Sequence, residues 1–132
     1  VELTPEQIFQ RYLYAGAITR DPDAIAAMFT EDGVLEAPLT PAGHPLHHLA
    51  GRDAIRAGTA AYHRLPGPPG AVDLERTGYL VHEATEPGLF VAEIDVVLNQ
   101  PDGSRTTMSL VQIFRVRDGR IVRLRDYFAD PA

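Results

Sequence analysis

Four carboxylates and one amide carry most of the chemistry this sequence offers, and the direction of each side chain decides its use. Successive side chains of a strand point to opposite faces. In the last apolar stretch, residues 120–129, Val122, Leu124, Asp126 and Phe128 share one face, opposite Ile121, Arg123, Arg125 and Tyr127. In the stretch before it, residues 104–116, Met108, Leu110, Gln112, Phe114 and Val116 share a face, opposite Thr107, Ser109, Val111, Ile113, Arg115 and Arg117. The two inner faces are apolar except at Gln112 and Asp126. A carboxylate buried among hydrophobes without a partner is costly and takes up a proton instead. A raised pKa is therefore expected at Asp126, which would make it a usable proton donor.

The other acids are less decided. In residues 89–98 the even set, Phe90, Ala92, Ile94, Val96 and Leu98, reads as the core face, which leaves Glu93 and Asp95 as surface acids. Glu36 ends a short strand and reads either as a pocket residue or as a surface acid. His44, His47 and His48 share a Pro-rich loop, but neighbours in an extended chain point apart and the sequence has no cysteine. A transition-metal site needs three or four convergent ligands, so none is expected here. His63 sits where a third helix would line a pocket mouth, and Tyr12 and Tyr14 are candidates for its wall or rim.

The elements that must position these residues are legible in order. Thr4-Pro5-Glu6-Gln7 is a helix start with a Thr cap, Pro at the first turn and Gln at the third position. Ile8, Phe9, Tyr12 and Leu13 follow at helical spacing. A second helix opens at Asp21-Pro22 and is expected to run to Asp32-Gly33, followed by a short strand at 34–37 and a loop at 38–50. Gly51-Arg52-Asp53 starts a third helix reaching about Arg64, and residues 65–70 form a stiff Pro/Gly turn. Strands are predicted at 73–81, 89–98, 104–116 and 120–129, with hairpin turns at Asp102-Gly103 and Asp118-Gly119. Helices first and a meander after is an α+β pattern, with helices on one face of the sheet.

Composition bounds the rest. The chain has 132 residues, which fits a single domain over 1–132, with 45% apolar and 23% charged residues. Its net charge is −6 and every basic residue is Arg, with no basic run, so no nucleic-acid partner is expected. No apolar stretch approaches the roughly 20 residues that span a bilayer, and Val1-Glu2-Leu3 does not open a secretory leader. The expectation is no membrane partner and a cytoplasmic protein.

Asp21-Pro22-Asp23-Ala24-Ile25-Ala26-Ala27-Met28-Phe29-Thr30-Glu31-Asp32-Gly33 resembles the second-helix signature of the nuclear-transport-factor-two-like superfamily. Gly51-Arg52-Asp53-Ala54-Ile55 resembles its third-helix start, and Phe114-Arg115-Val116-Arg117-Asp118-Gly119-Arg120-Ile121 its final hairpin. The resemblance covers most of the chain. It implies a cone: a curved mixed or antiparallel sheet with three N-terminal helices packed on its concave face, enclosing a pocket. Fold alone does not give function, because such folds host many activities.

Two enzyme branches are nearest. Arg125-Asp126-Tyr127-Phe128 resembles part of the last strand of the limonene-epoxide-hydrolase-like branch. That likeness puts Asp126 on one of the branch's two catalytic aspartates and turns Asp95, aligned without a gap, inward as the other. One acid there protonates an epoxide oxygen while its partner helps water attack carbon. Glu93 stands where the branch has an Arg, and Val34 and Glu36 stand where it has a water-holding Tyr and Asn. In the SnoaL-like polyketide cyclases Asp126 matches the acid/base, and Gln112 falls at the position of its His partner. In the related ketosteroid isomerases the general base falls near Ala37, the donor Asp near Gln112 and the catalytic Tyr near Leu13.

The resemblance thus implies a cofactor-independent acid–base enzyme acting on a small hydrophobic substrate, by epoxide opening or by polyketide cyclisation or isomerisation. Asp126 and Asp95 are its catalytic pair. Gln112, Glu36, Glu93, Tyr14, Leu110, Phe114, Phe128 and His63 contact substrate. If Glu36, Glu93, Asp95 and Asp126 converge, at least one must be protonated, or Arg52 or a His must compensate. The alternative is a non-catalytic small-molecule-binding or dimerisation domain of the same fold. A homodimer through the outer face at Val111, Ile113 and Tyr127 is expected on either reading.

Overall fold

The structure is a computed structural model that describes residues 3–67 and 69–129. Val1 and Glu2 of the chain start, and Pro68 of the predicted turn at 65–70, lie outside the described residues. Helix α1 (Pro5–Leu13) starts as its capping residues dictate: the Thr4 hydroxyl accepts from the Gln7 N–H at 3.2 Å and the Gln7 side chain accepts from the Thr4 N–H at 2.9 Å. It continues into one wide turn, Tyr14–Ile18, closed by the Thr19 N–H on the Tyr14 carbonyl at 2.9 Å. Helix α2 (Pro22–Ala27) is capped by Asp21, whose carboxylate accepts from the N–H groups of Asp23 and Ala24.

Strand β1 (Phe29–Glu36) begins earlier than the sequence suggests, and α2 is correspondingly shorter. The cause is tertiary: β1 lies parallel to β7 (Arg120–Tyr127), and the Ile121 N–H takes the Met28 carbonyl at 2.8 Å, ending the helix. The register shifts between Phe29 and Val34, and Gly33 sits in that irregularity. A Cβ at Gly33 would stand 2.9 Å from the Cβ of Phe29, so only glycine fits.

The stretch expected to be loop after β1 contains a short strand, β2 (His48–Ala50), which pairs antiparallel with β1. Three residues are too few to show a period, so nothing in the sequence marks it. Helix α3 (Arg52–His63) follows. Of the stretch predicted as one strand over 73–81, only its end is strand, in β4 (Gly78–Glu83), and a separate short strand, β3 (Ala71–Val72), precedes it. Asp73 breaks it: its carbonyl accepts from the Thr77 N–H at 2.9 Å and its carboxylate pairs with Arg76 at 3.0 Å, which makes a turn.

Strands β5 (Leu89–Asn99) and β6 (Arg105–Arg117) complete the sheet with β7. The strand order is β2-β1-β7-β6-β5-β3, with β4 also pairing β5. The result is the predicted α+β cone, a curved, unclosed, mixed sheet of seven strands with three helices against it.

Inner-face rows run across this sheet in register. Phe90 pairs with Phe114, and Phe114 with Leu124, which in turn lies beside Leu35. Phe90 and Phe114 stack with ring centroids 4.8 Å apart, and Phe9 of α1 meets Phe114 edge-on at 6.1 Å. This row fills the closed end of the cone. The next row is Ala92, Gln112 and Asp126. Here the small Ala92 and the short Asp126 stop filling space, and the core opens into a cavity.

One inner-face assignment differs from simple alternation. Ile121, not Val122, is fully buried, because β7 carries a bulge: Arg115 pairs with Arg123 while the next residue, Val116, pairs with Ile121, leaving Val122 as the extra residue. The bulge lies before Leu124, so Leu124 and Asp126 keep the inward direction that the alternation predicts.

Candidate functional site

The cavity holds about 210 Å³ between the sheet and the helices. Ile94, Val96, Met108 and Leu110 of β5 and β6 form its sheet wall. Tyr12, Leu13, Gly16, Ala17 and Ile25 come from the first two helices and the wide turn between them. Leu46 from the loop after β1, with Thr59, Tyr62 and His63 of α3, closes the remaining side. Gln112 and Asp126 enter this apolar chamber from the sheet. Thr59 is already satisfied by the Ile55 carbonyl at 2.7 Å.

Asp126 and Gln112 are cross-strand partners, and the Gln112 Nε2 donates to Asp126 Oδ2 at 3.2 Å. Asp126 Oδ1 and Gln112 Oε1 are buried without a hydrogen-bond partner. Among the described residues no arginine or backbone N–H compensates the carboxyl. Burial therefore pushes its pKa up from 3.8 to about 7, against the smaller downward pull of the Gln112 hydrogen bond. One edge of the side chain borders the cavity, so the residue retains some accessible surface. Its Oδ1 is nonetheless closed off from solvent.

Tyr12 shares the chamber. Burial, then the nearby Asp126 charge, then Tyr62, drive its pKa far upward, so the phenol keeps its proton. Its ring is fixed edge-on to Phe29 at 6.4 Å and to Phe114 at 5.6 Å. His63 lines the chamber from the end of α3. Burial, then the Arg20 guanidinium, lower its pKa below the ordinary 6.5, with the Arg20 and Gly16 backbones pulling partly the other way. Arg20 is held there by a 2.8 Å hydrogen bond to the His63 carbonyl.

The remaining residues singled out in the sequence divide cleanly. Leu110, Gln112, Asp126 and His63 line the chamber. Phe114 lies in the core behind it, under Phe90. Phe128 packs on Tyr62 at 6.1 Å and on His44 at 6.0 Å, outside the lining. Tyr14 is a correction: it is 59% exposed and points away, because two residues along a helix is more than half a turn from Tyr12. Tyr12, at helical spacing from Ile8 and Phe9, is the tyrosine that faces the chamber.

Asp95, Glu93 and Glu36 are corrections of a larger kind. The strand alternation holds in β5: Phe90, Ala92, Ile94 and Leu98 are buried, and Glu93 and Asp95 are exposed on the outer face. Asp95 accepts a 2.6 Å hydrogen bond from Ser109, and Glu93 pairs with His82 at 3.1 Å. Glu36 follows the inward Leu35 and so faces outward. Burial alone would raise its pKa. The hydrogen bond and charge of Arg123, 2.6 Å away, followed by His48 and Arg125, lower it overall. No convergence of four acids occurs, and Arg52 is occupied elsewhere, donating to the Phe29 carbonyl at 2.9 Å.

The three loop histidines also part company. His44 meets Tyr62 at a tilt of 50° with ring centroids 5.5 Å apart, His47 Nδ1 lies 3.0 Å from the Thr40 carbonyl, and His48 approaches Glu36 at 3.4 Å. Among the described residues no three His, Asp or Glu side chains gather.

With this geometry in hand, comparison with known proteins decides the family. A model of the SnoaL-like domain matches residues 9–124, which is most of the chain and includes β7 as far as Leu124. The chain belongs to the SnoaL-like domain family. Its fold, the nuclear-transport-factor-two-like cone, recurs in solved structures. A presumed isomerase from Bacillus subtilis is 23% identical, with a TM-score of 0.69, over 92% of this chain and 84% of that one. A presumed polyketide cyclase from Pseudomonas putida KT2440 is 18% identical, with a TM-score of 0.65, over 96% and 92%. The protein TerC, co-crystallised with polyporic acid, is 19% identical, with a TM-score of 0.64, over 94% and 90%. At these identities the likeness establishes the fold of this SnoaL-like domain and nothing finer. A search of curated proteins found no match.

Proposed function

We propose that this SnoaL-like domain is an acid–base enzyme that isomerises or cyclises a small, mostly apolar carbonyl compound of the polyketide kind. The observation that carries the reading is Asp126, a carboxyl with a pKa of about 7 in an apolar chamber, tethered among the described residues by Gln112 alone. A neutral carboxylic acid there donates a proton to a carbonyl oxygen as negative charge develops on it. Because Gln112 Nε2 occupies Oδ2, the proton resides on Oδ1. Tyr12, its phenol held protonated, supplies a second donor to the same oxygen. The apolar walls orient the carbon skeleton and exclude competing water.

The names of the structural neighbours, isomerase and polyketide cyclase, support this class over others. The two-carboxylate mode of epoxide hydrolysis has less support, since Asp95 and Glu36 stand on the outer face. Epoxide opening by an internal hydroxyl needs only one acid and stays within the reading. The functional unit is proposed to be a homodimer formed through the outer sheet face, and a monomeric sedimentation coefficient would exclude that part.

The test is product analysis after incubating the native chain and Asp126→Asn with short poly-β-ketones, cyclic enones and hydroxy-epoxides in ¹⁸O-labelled water. The reading expects isomerised, cyclised or dehydrated product without added label, from the native chain only. A labelled diol would move the assignment to epoxide hydrolysis. Tight binding with no product from any compound would make this a binding domain.

A further inference from the structure

An acid alone moves only half of the protons in such a reaction: an isomerisation or aldol-type closure also needs a base to take a proton from carbon. Among the described residues the inner face of the sheet offers no second carboxylate, because Glu36, Glu93 and Asp95 all lie outside. Across the chamber, however, His63 lines the same cavity from the last turn of α3. Its Nδ1 is closed off from solvent and has no hydrogen-bond partner.

We propose that His63 is a second catalytic residue, the general base that works opposite Asp126 across the chamber. The inference rests on the acid–base reading above and completes it. The neutral His63 imidazole accepts the proton from the carbon next to the substrate carbonyl. The C–H electron pair becomes the new C=C bond, the carbonyl π pair moves to oxygen, and that oxygen takes the proton of Asp126. The result is an enol, a His63 imidazolium and an Asp126 carboxylate. Where the substrate is a β,γ-unsaturated ketone this enol is a dienol, and return of the imidazolium proton to its γ-carbon, with the γ,β pair supplying the new C–H bond and the enol proton returning to Asp126, gives the conjugated isomer with both groups reset. No oxidant, metal or cofactor enters the balance.

The surroundings suit the role. The charged and titratable groups around the ring are Arg20, whose guanidinium bonds the His63 carbonyl at 2.8 Å, Tyr62 beside it with His44 beyond, and Tyr12 and Asp126 across the chamber. Burial, then the Arg20 guanidinium, outweigh the opposing Arg20 and Gly16 backbones and favour the neutral ring, which is the form that accepts a proton.

The experiment follows deuterium uptake at the α-carbons of 2-tetralone in D₂O by NMR, with the native chain, Asp126→Asn and His63→Gln, and His63→Asn if the Gln variant does not fold. The native chain is expected to catalyse exchange. Each variant should slow it about a hundredfold or more, with ketone affinity changed less than about threefold for His63→Gln. The native rate should rise with pH through the His63 titration, and that limb should vanish in the variant. If His63→Gln exchanges as fast as native while Asp126→Asn does not, the acid stands and His63 falls. A His63 ring that is still protonated at about pH 7.5 by ¹⁵N NMR overturns the base role without any reference to turnover. Absence of exchange by the native chain overturns both.

Discussion

Asp126 and Glu36 lie on neighbouring parallel strands, and Glu36 pairs in register with Arg125, one residue before Asp126. Each is removed from much of the solvent, yet their pKa values move in opposite directions. The difference is the face of the sheet. Outside, Glu36 meets Arg123, Arg125 and His48, which more than offset its desolvation. Inside, Asp126 meets one amide, the protonated Tyr12 phenol and hydrocarbon, and no cation among the described residues offsets its burial. A carboxyl becomes a proton donor not by being buried but by being buried without a cation, and the two faces of one sheet supply both cases.

The sharpest way to break the contrast is Asp126→Asn. It keeps the shape and the Gln112 neighbour but removes the transferable proton. Turnover of a responsive ketone should fall about a hundred- to ten-thousandfold, measured as kcat/KM. The same variant sharpens the contrast thermodynamically. A folded-state pKa raised from 3.8 to about 7 means that the folded state binds more protons than the unfolded one between those pH values. Stability from this group is therefore full below about pH 4, declines as pH rises, and levels off above about pH 7. The ceiling on that loss is about 4 kcal/mol, since each pH interval of one between the two values is worth about 1.4 kcal/mol. Asp126→Asn should accordingly melt higher than native at pH 8, with a smaller advantage at pH 5, in calorimetric scans.

Glu36→Gln should do the reverse. Its folded pKa is lowered, so its contribution is present above the unfolded value of 4.5 and is lost as pH falls through the folded value. A loss of about 1 kcal/mol at pH 7 that disappears in acid is expected from urea titrations, with activity unchanged. The smallest effect is predicted for Asp95→Asn, which removes an exposed acceptor of Ser109. Stability should change by less than about 0.5 kcal/mol and turnover by less than about twofold. A large activity loss in Asp95→Asn would break the distinction between the faces.

Much of this arrangement is legible in residue order. The alternation in β6 and β7 places Gln112 and Asp126 inside without any structural knowledge, and the hairpin signals set the meander. The alternation in β5 is equally clear about Asp95 and Glu93. Family resemblance turns Asp95 inward against that pattern, and the pattern holds, because reversing one residue would expose Phe90, Ala92 and Ile94 together. Tyr12 is readable too, since it shares a helical face with Ile8 and Phe9 while Tyr14 does not. The bulge at Val122 and the irregularity at Gly33 are not readable. Both arise where β1 and β7 meet, and such long-range pairing leaves no local periodicity. The outward partners of Glu36 depend on the same pairing.

The central claim is that Asp126 carries a proton near neutral pH. The direct measurement is its side-chain ¹³C chemical shift by NMR, followed as a function of pH in the ligand-free native chain, with Asp126→Asn to assign the signal. The account predicts a titration midpoint near pH 7. A midpoint near the ordinary carboxylate value of about 4 would contradict it, leaving Asp126 ionised at neutral pH and without a proton to give.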